Sequence, residues 1–125
     1  MYYIQYAHAR VASMLKQLAA RGLVFERAQG LAHASLLEGA QEQAVLSSLT
    51  RYPEILEQAA TSRAPHMLVH YLRELANAFH TYYNAEGFIV EDAPLRNARL
   101  ALVLGVQQVI KNGLTLLGVT APESM

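Results

Sequence analysis

Cysteine is absent from this chain of 125 residues. Neither a disulfide framework nor a thiolate zinc site is therefore open to it, which fits a reducing compartment. An excess of charge of one sign is also missing. Ten basic residues face ten acidic ones, and cutting the chain at residue 62 leaves five of each in both halves. A neutral chain lacks the broad basic footprint of a general nucleic-acid binder. Long hydrophobic runs are missing too. The longest, Leu100 to Val106, is far too short to span a bilayer, and Arg10 and Lys16 interrupt the stretch where a signal peptide needs to be apolar. The expectation is a soluble, cytoplasmic chain with no membrane partner. No glycine-rich phosphate loop, nucleophile elbow or paired acid–base carboxylate signature occurs. No catalytic residue is assigned.

What the chain has is apolar content: 53% hydrophobic residues and a mean hydropathy of +0.13. That excludes disorder and suits one domain that buries roughly two-thirds of its unfolded surface. The apolar excess also fits a surface that meets another domain. The chain opens nearly inside a helix, as expected of a domain belonging to a longer protein. Arginine supplies eight of the ten basic residues, and Arg10, Lys16 and Arg21 all precede the first acid, Glu26.

Periodicity predicts an all-α bundle of about five helices spanning residues 1–125 as one domain. The first helix is expected from Tyr2 to Ala20, stopping at Gly22, with Ile4, His8, Val11, Leu15 and Leu18 as its buried stripe. Residues 23–37 read as a loop that packs its Leu and Phe side chains, with at most one helical turn. A second helix covers Gln41 to Arg51 and presents Ala44, Val45, Leu46 and Leu49. Pro53 opens a third that runs to Ala60, and Pro65 a fourth that runs to Asn84 and buries Leu68, Leu72, Leu75 and Phe79. Asp92 caps a long last helix that ends at Gly118 and buries Val103, Val106, Ile110, Leu114 and Leu117. Gly105 and Gly113 inside it are expected at close helix contacts.

Three groups of residues have a chemistry to weigh. Tyr3, Tyr6 and Arg10 share a helix face apart from the apolar stripe, and two phenols with a guanidinium can stack on bases and hold phosphate. Packing at the edge of the core is the simpler account of the same spacing. His66, His70 and Glu74 recur every four residues, but a histidine–glutamate ion pair in solvent explains them better than a metal site. His8 on the apolar face reads as a core histidine bonded to a carbonyl, and Glu91-Asp92 as a helix start.

The order of four motifs adds a resemblance. Tyr3-Ile4-Gln5-Tyr6-Ala7-His8-Ala9-Arg10 is similar to the start of the C-terminal, DALR-type anticodon-binding domain of arginyl-tRNA synthetases. Tyr71-Leu72-Arg73-Glu74-Leu75-Ala76 through Phe79-His80 to Tyr82-Tyr83 resembles its central helix. Ala98-Arg99-Leu100-Ala101-Leu102 and Asn112-Gly113-Leu114 through Leu116-Leu117-Gly118 to Pro122-Glu123-Ser124-Met125 resemble its last helix and tail. Two departures stand out: Pro94 interrupts the Asp92-Ala93-Leu95-Arg96 signature, and Ser124 occupies a place where the family often has arginine.

The resemblance implies a helical bundle that grips the anticodon stem-loop of the arginine tRNA. It implies Tyr6, Tyr83 and Met125 as tRNA-binding residues, and Arg10, which shares the helix face of Tyr6, joins them as the candidate contact to a phosphate or base edge. Arg99 and Asn112 are expected in the internal scaffold. It also implies a catalytic domain elsewhere in the same chain that uses ATP to join arginine to the tRNA of a monomeric enzyme. No cofactor or metal belongs to these 125 residues on that reading, and the fragment alone should be inactive. A helical protein-interaction module, or the DALR domain of another synthetase, is the alternative.

Overall fold

The computed structural model describes residues 1–125. It contains α1 (Tyr2–Ala20), α2 (Arg27–Ala32), a 3-10 turn (Ala34–Leu36), α3 (Ala40–Thr50), α4 (Tyr52–Thr61), α5 (Pro65–Ala85) and α6 (Ala93–Leu116), and no strand. The five longer helices match the bundle expected from periodicity. No helix is long and apolar enough to cross a membrane.

The ends of these helices follow from local chemistry. Gly22 (φ +72°) ends α1, and Gly118 (φ +75°) ends α6. In each case the two N–H groups at and after the glycine fold back onto the last turn. Gly22 and Leu23 donate to Ala19 and Leu18, and Gly118 and Val119 to Thr115 and Leu114. The same paired bonds close α4, where Arg63 and Ala64 donate to Ala60 and Ala59. There the left-handed position is held by arginine (φ +50°), which pays a steric cost that glycine would not. At the start of α3 the Gly39 N–H donates to the Glu42 carboxylate at 3.1 Å, half of a capping box.

One cluster of 22 buried residues forms the core. The long helices α5 and α6 run through it, α1 packs on both, and α3 and α4 cover the side of α5. The apolar stripes lie where the spacing puts them. Ile4, His8, Val11 and Leu18 are buried, as are Leu68, Leu72, Leu75, Phe79, Val103, Val106, Ile110 and Leu114. Leu15 and Leu117 are only partly covered, and α3 buries Val45 while leaving Ala44 in solvent.

Residues 23–37 are more structured than their scattered apolar pattern suggests. Arg27–Ala32 forms a helix because α6 supplies what the short segment cannot. Asn97, fully buried, accepts the Glu26 N–H at 3.0 Å and donates to the Gln29 side chain at 2.5 Å. Gly30 then lies so close to α6 that a Cβ on it would stand 2.4 Å from the Asn97 carbonyl oxygen. Of the two glycines inside α6, Gly113 is the close contact, with Leu72 Cδ1 at 2.7 Å from the place of a Cβ. Gly105 is not, since its nearest neighbour, Leu49, stands at an ordinary 3.5 Å.

Arg99 belongs to the scaffold, as expected. Its Nε donates to Glu42 Oε2 at 3.0 Å, and its other nitrogens reach the Gly87 carbonyl at 2.6 Å and Glu86 at 3.4 Å. Tyr82 donates to the same Glu42 oxygen at 2.5 Å. Burial first, and then the bond to Glu42, hold the Tyr82 phenol well above the ordinary tyrosine value, so it stays a donor. Asn112 departs from expectation. It lies on the surface, where it accepts the Tyr52 hydroxyl, and Asn97 is the buried asparagine instead.

Candidate nucleic-acid interface

Four residues named from sequence, Tyr6, Arg10, Tyr83 and Met125, line one cleft of about 320 Å³. Tyr6 and Arg10 stand one turn apart on α1. Tyr83 comes from the last turn of α5, and Met125 from the tail after α6. Two bonds from α1 set the path of that tail. Gln5 Nε2 donates to the Thr120 carbonyl at 2.9 Å, and His8 Nδ1 to the Pro122 carbonyl at 2.8 Å. His8 is therefore the carbonyl-bonded core histidine its position suggested, and it also anchors the tail beside Tyr6.

Arg10 is the centre of the cleft. Its guanidinium carbon lies 4.0 Å from the Tyr83 ring centroid and 4.8 Å from that of Tyr6. Cation–π contacts of this kind are worth about 0.5–2 kcal/mol, more as water is excluded. Its NH1 donates to His80 Nδ1 at 3.0 Å. Arg10 is thus a seated cation rather than one waving in solvent, and one of its five N–H donors is already used.

The aromatic surface extends beyond the residues singled out from sequence. Tyr2 stacks on Tyr6 at 6.4 Å, and Tyr3, which spacing left ambiguous, packs its ring on His80 at 4.6 Å. The Tyr3 hydroxyl donates to Asn77 at 3.2 Å. On the other side Tyr83 stacks on Phe88 at 6.2 Å. Tyr83 is also the wall shared with a second cleft of about 320 Å³, which Gln17 of α1, Arg21 just after that helix, and Glu86 and Phe88 of the loop after α5 line.

Sequence reasoning missed Ser13, Lys16 and Glu123, which also line the first cleft, and His80 behind it. The signal for two of them was present: Tyr6, Arg10, Ser13 and Lys16 follow one another at three- and four-residue steps, so they share a helix face. Arg10 and Lys16 outnumber Glu123 in the first cleft, whereas Arg21 is balanced by Glu86 in the second. His66, His70 and Glu74 form no metal cluster. His70 and Glu74 pair at 2.8 Å in solvent.

Two helices and a tail that bring phenol rings, a seated guanidinium and a methionine to one open cleft are equipped to take flat, polar-edged groups. Unpaired RNA bases, read by stacking and by their edges, have that shape. Fold and cleft together define an all-α domain with an aromatic, cation-bearing cleft that is shaped to take unpaired bases.

The comparisons specify the class. The chain belongs to the DALR anticodon binding domain family, whose model matches residues 4–125. It is 56% identical over all 125 residues to an arginine--tRNA ligase of Coxiella burnetii, and 55% identical to that of Thioalkalivibrio sulfidiphilus. In both cases it spans 21% of the relative's length. Among solved structures, the Thermus thermophilus arginyl-tRNA synthetase superposes with a TM-score of 0.82 at 34% identity. That match covers 98% of this chain and 21% of the other.

Proposed function

We propose that this chain is the anticodon-binding part of an arginine--tRNA ligase and that its first cleft holds splayed anticodon bases of an arginine tRNA. The observation that carries the reading is convergence. Residues 6, 10, 83 and 125, drawn from three distant parts of the sequence, meet around one opening. Tyr6, 37% exposed, offers ring surface to a base, Arg10 offers its remaining donors, and Met125 adds an exposed apolar side chain to the lining. Lys16 and Arg21 stand where the phosphates of a strand following α1 would run. Activation of arginine with ATP and its transfer to the tRNA fall to a catalytic domain elsewhere in the longer, monomeric, cytoplasmic enzyme. The 125 residues bind and do not aminoacylate.

A titration of this chain with arginine tRNA at low salt tests the reading. Binding is expected to weaken with salt, because neutralised phosphates release counterions. Tyr6→Ala is expected to cost about 1–3 kcal/mol if the ring stacks on a base. Tyr83→Ala should also weaken binding, by removing the ring under Arg10. Absence of any shift at low salt would sink the proposal. That result would favour a protein-docking module, for which the apolar cleft of about 180 Å³ between α2, α3 and α6 is the supporting observation.

A further inference from the structure

His80 is 5% exposed, yet its ring holds two polar bonds that dictate its protonation. Arg10 NH1 can only donate, so Nδ1, 3.0 Å away, must carry a lone pair. The proton then sits on Nε2, which faces the Tyr3 carbonyl at 3.4 Å. The groups around the ring are the Tyr3 and Tyr6 rings and the Arg10 guanidinium from α1, with the Phe79 ring from α5. Arg10 is the one charged group acting on it. A second proton on this ring would put N–H against N–H and cation against cation.

We propose that His80 is the positioning residue of the cleft: its unprotonated Nδ1 seats the Arg10 guanidinium between Tyr6 and Tyr83, and protonation unseats Arg10 and weakens RNA binding. The inference rests on the RNA-binding reading above. A flexible arginine loses much rotamer freedom when it is held in one place, so two ring contacts alone hold it loosely. The bond to His80 adds a fixed direction. It spends one nitrogen on the side of the core and leaves the remaining donors for the open side. Burial lowers the His80 pKa below the ordinary histidine value; the bond to the Tyr3 carbonyl opposes this and the Arg10 charge adds to it. The seat is therefore intact at neutral pH and is lost in acid.

Binding of a stem-loop RNA with an arginine anticodon, measured at about pH 7.5 and about pH 5, tests the assignment against three forms of the chain. The unsubstituted chain should bind more weakly at the lower pH, the loss growing as His80 protonates towards roughly tenfold, the worth of a charged hydrogen bond. His80→Asn places an amide oxygen near the position of Nδ1 and does not titrate. It should bind close to normally at the higher pH and show no acid loss. His80→Leu keeps an apolar filling and removes the acceptor, so it should bind roughly tenfold more weakly at both values. Thermal melting identifies any variant that fails to fold.

Side-chain NMR of the RNA-free chain reads the seat directly. The Arg10 Nε–H signal should shift with the titration of His80, and should not shift in His80→Asn. Equal acid profiles for the unsubstituted chain and His80→Asn, or normal binding by His80→Leu, overturn the proposal, as does an Arg10 signal indifferent to His80. If the unsubstituted chain binds no RNA at low salt, the RNA-binding reading falls and the NMR titration alone decides whether His80 seats Arg10.

Discussion

Replacing Glu42 with alanine should be strongly destabilising while it leaves the cleft around Arg10 untouched. Glu42 is 2% exposed, and its carboxylate receives Tyr82 at 2.5 Å, Arg99 at 3.0 Å and the Gly39 N–H at 3.1 Å. Truncation leaves a fully buried phenol without an acceptor and a guanidinium, only 13% exposed as a side chain, without its main counter-ion. Breaking one side of a buried pair costs about 3–5 kcal/mol, chiefly because the surviving charge stays buried. The Arg99 contact to Glu86 offsets little of this, since it is longer, at 3.4 Å, and Glu86 is 36% exposed as a side chain. Set against the roughly 5–15 kcal/mol that holds a typical domain together, the loss is large. Urea unfolding followed by circular dichroism measures it. Tyr82→Phe removes one donor and leaves the ion pair, so it should cost only about 1 kcal/mol. A loss below about 1 kcal/mol for Glu42→Ala, or equal losses for the two variants, would refute the ion-pair account.

Three further outcomes follow from the backbone and the buried phenols. Gly30→Ala should destabilise by about 1–3 kcal/mol, because its Cβ would stand 2.4 Å from a backbone oxygen of α6 that has no free rotation to yield; chemical denaturation checks it. Arg63→Gly should stabilise by about 0.5–1 kcal/mol by relieving the left-handed position at the end of α4, seen as a melting temperature raised by about 2–4 °C. Alkaline unfolding should set in above the ordinary tyrosine value of about 10. Burial pushes the Tyr71 phenol up to about 12 and raises Tyr82 as well. The unfolded chain therefore loses those protons first, so stability is full below pH 10.0 and falls as pH rises beyond it. The combined Tyr71→Phe and Tyr82→Phe chain should show a shallower alkaline decline in a pH series of melts.

Much of the bundle is legible in the order of residues because long helices advertise themselves twice. Their apolar positions recur with the helical period, and Gly22, Pro53, Pro65 and Gly118 mark their ends by what each allows the backbone to do; Asp92 takes the position before α6, but its side chain makes no capping bond there. A six-residue helix has neither signal. Residues 27–32 lie against Asn97 of α6, which accepts the Glu26 N–H before the helix and donates to the Gln29 side chain within it, contacts across some seventy positions of sequence. Asn112 and Asn97 show the same limit from the other side. Both sit in α6, and only the neighbouring elements decide which is buried.

The chemical kinds in the cleft were determined by sequence alone: phenols and a guanidinium on one helix face, an aromatic at the end of α5, a methionine in the tail. Their meeting was decided by tertiary structure. Nothing in the spacing of Tyr83 or Met125 states that they lie beside Arg10, because that depends on how α5 crosses α1 and on two hydrogen bonds that tie residues 120 and 122 to the first helix. Spacing within a helix reports neighbours three and four residues away, since the backbone repeats. Proximity across the bundle, including the His80 ring that seats Arg10, follows from packing, which no local repeat encodes.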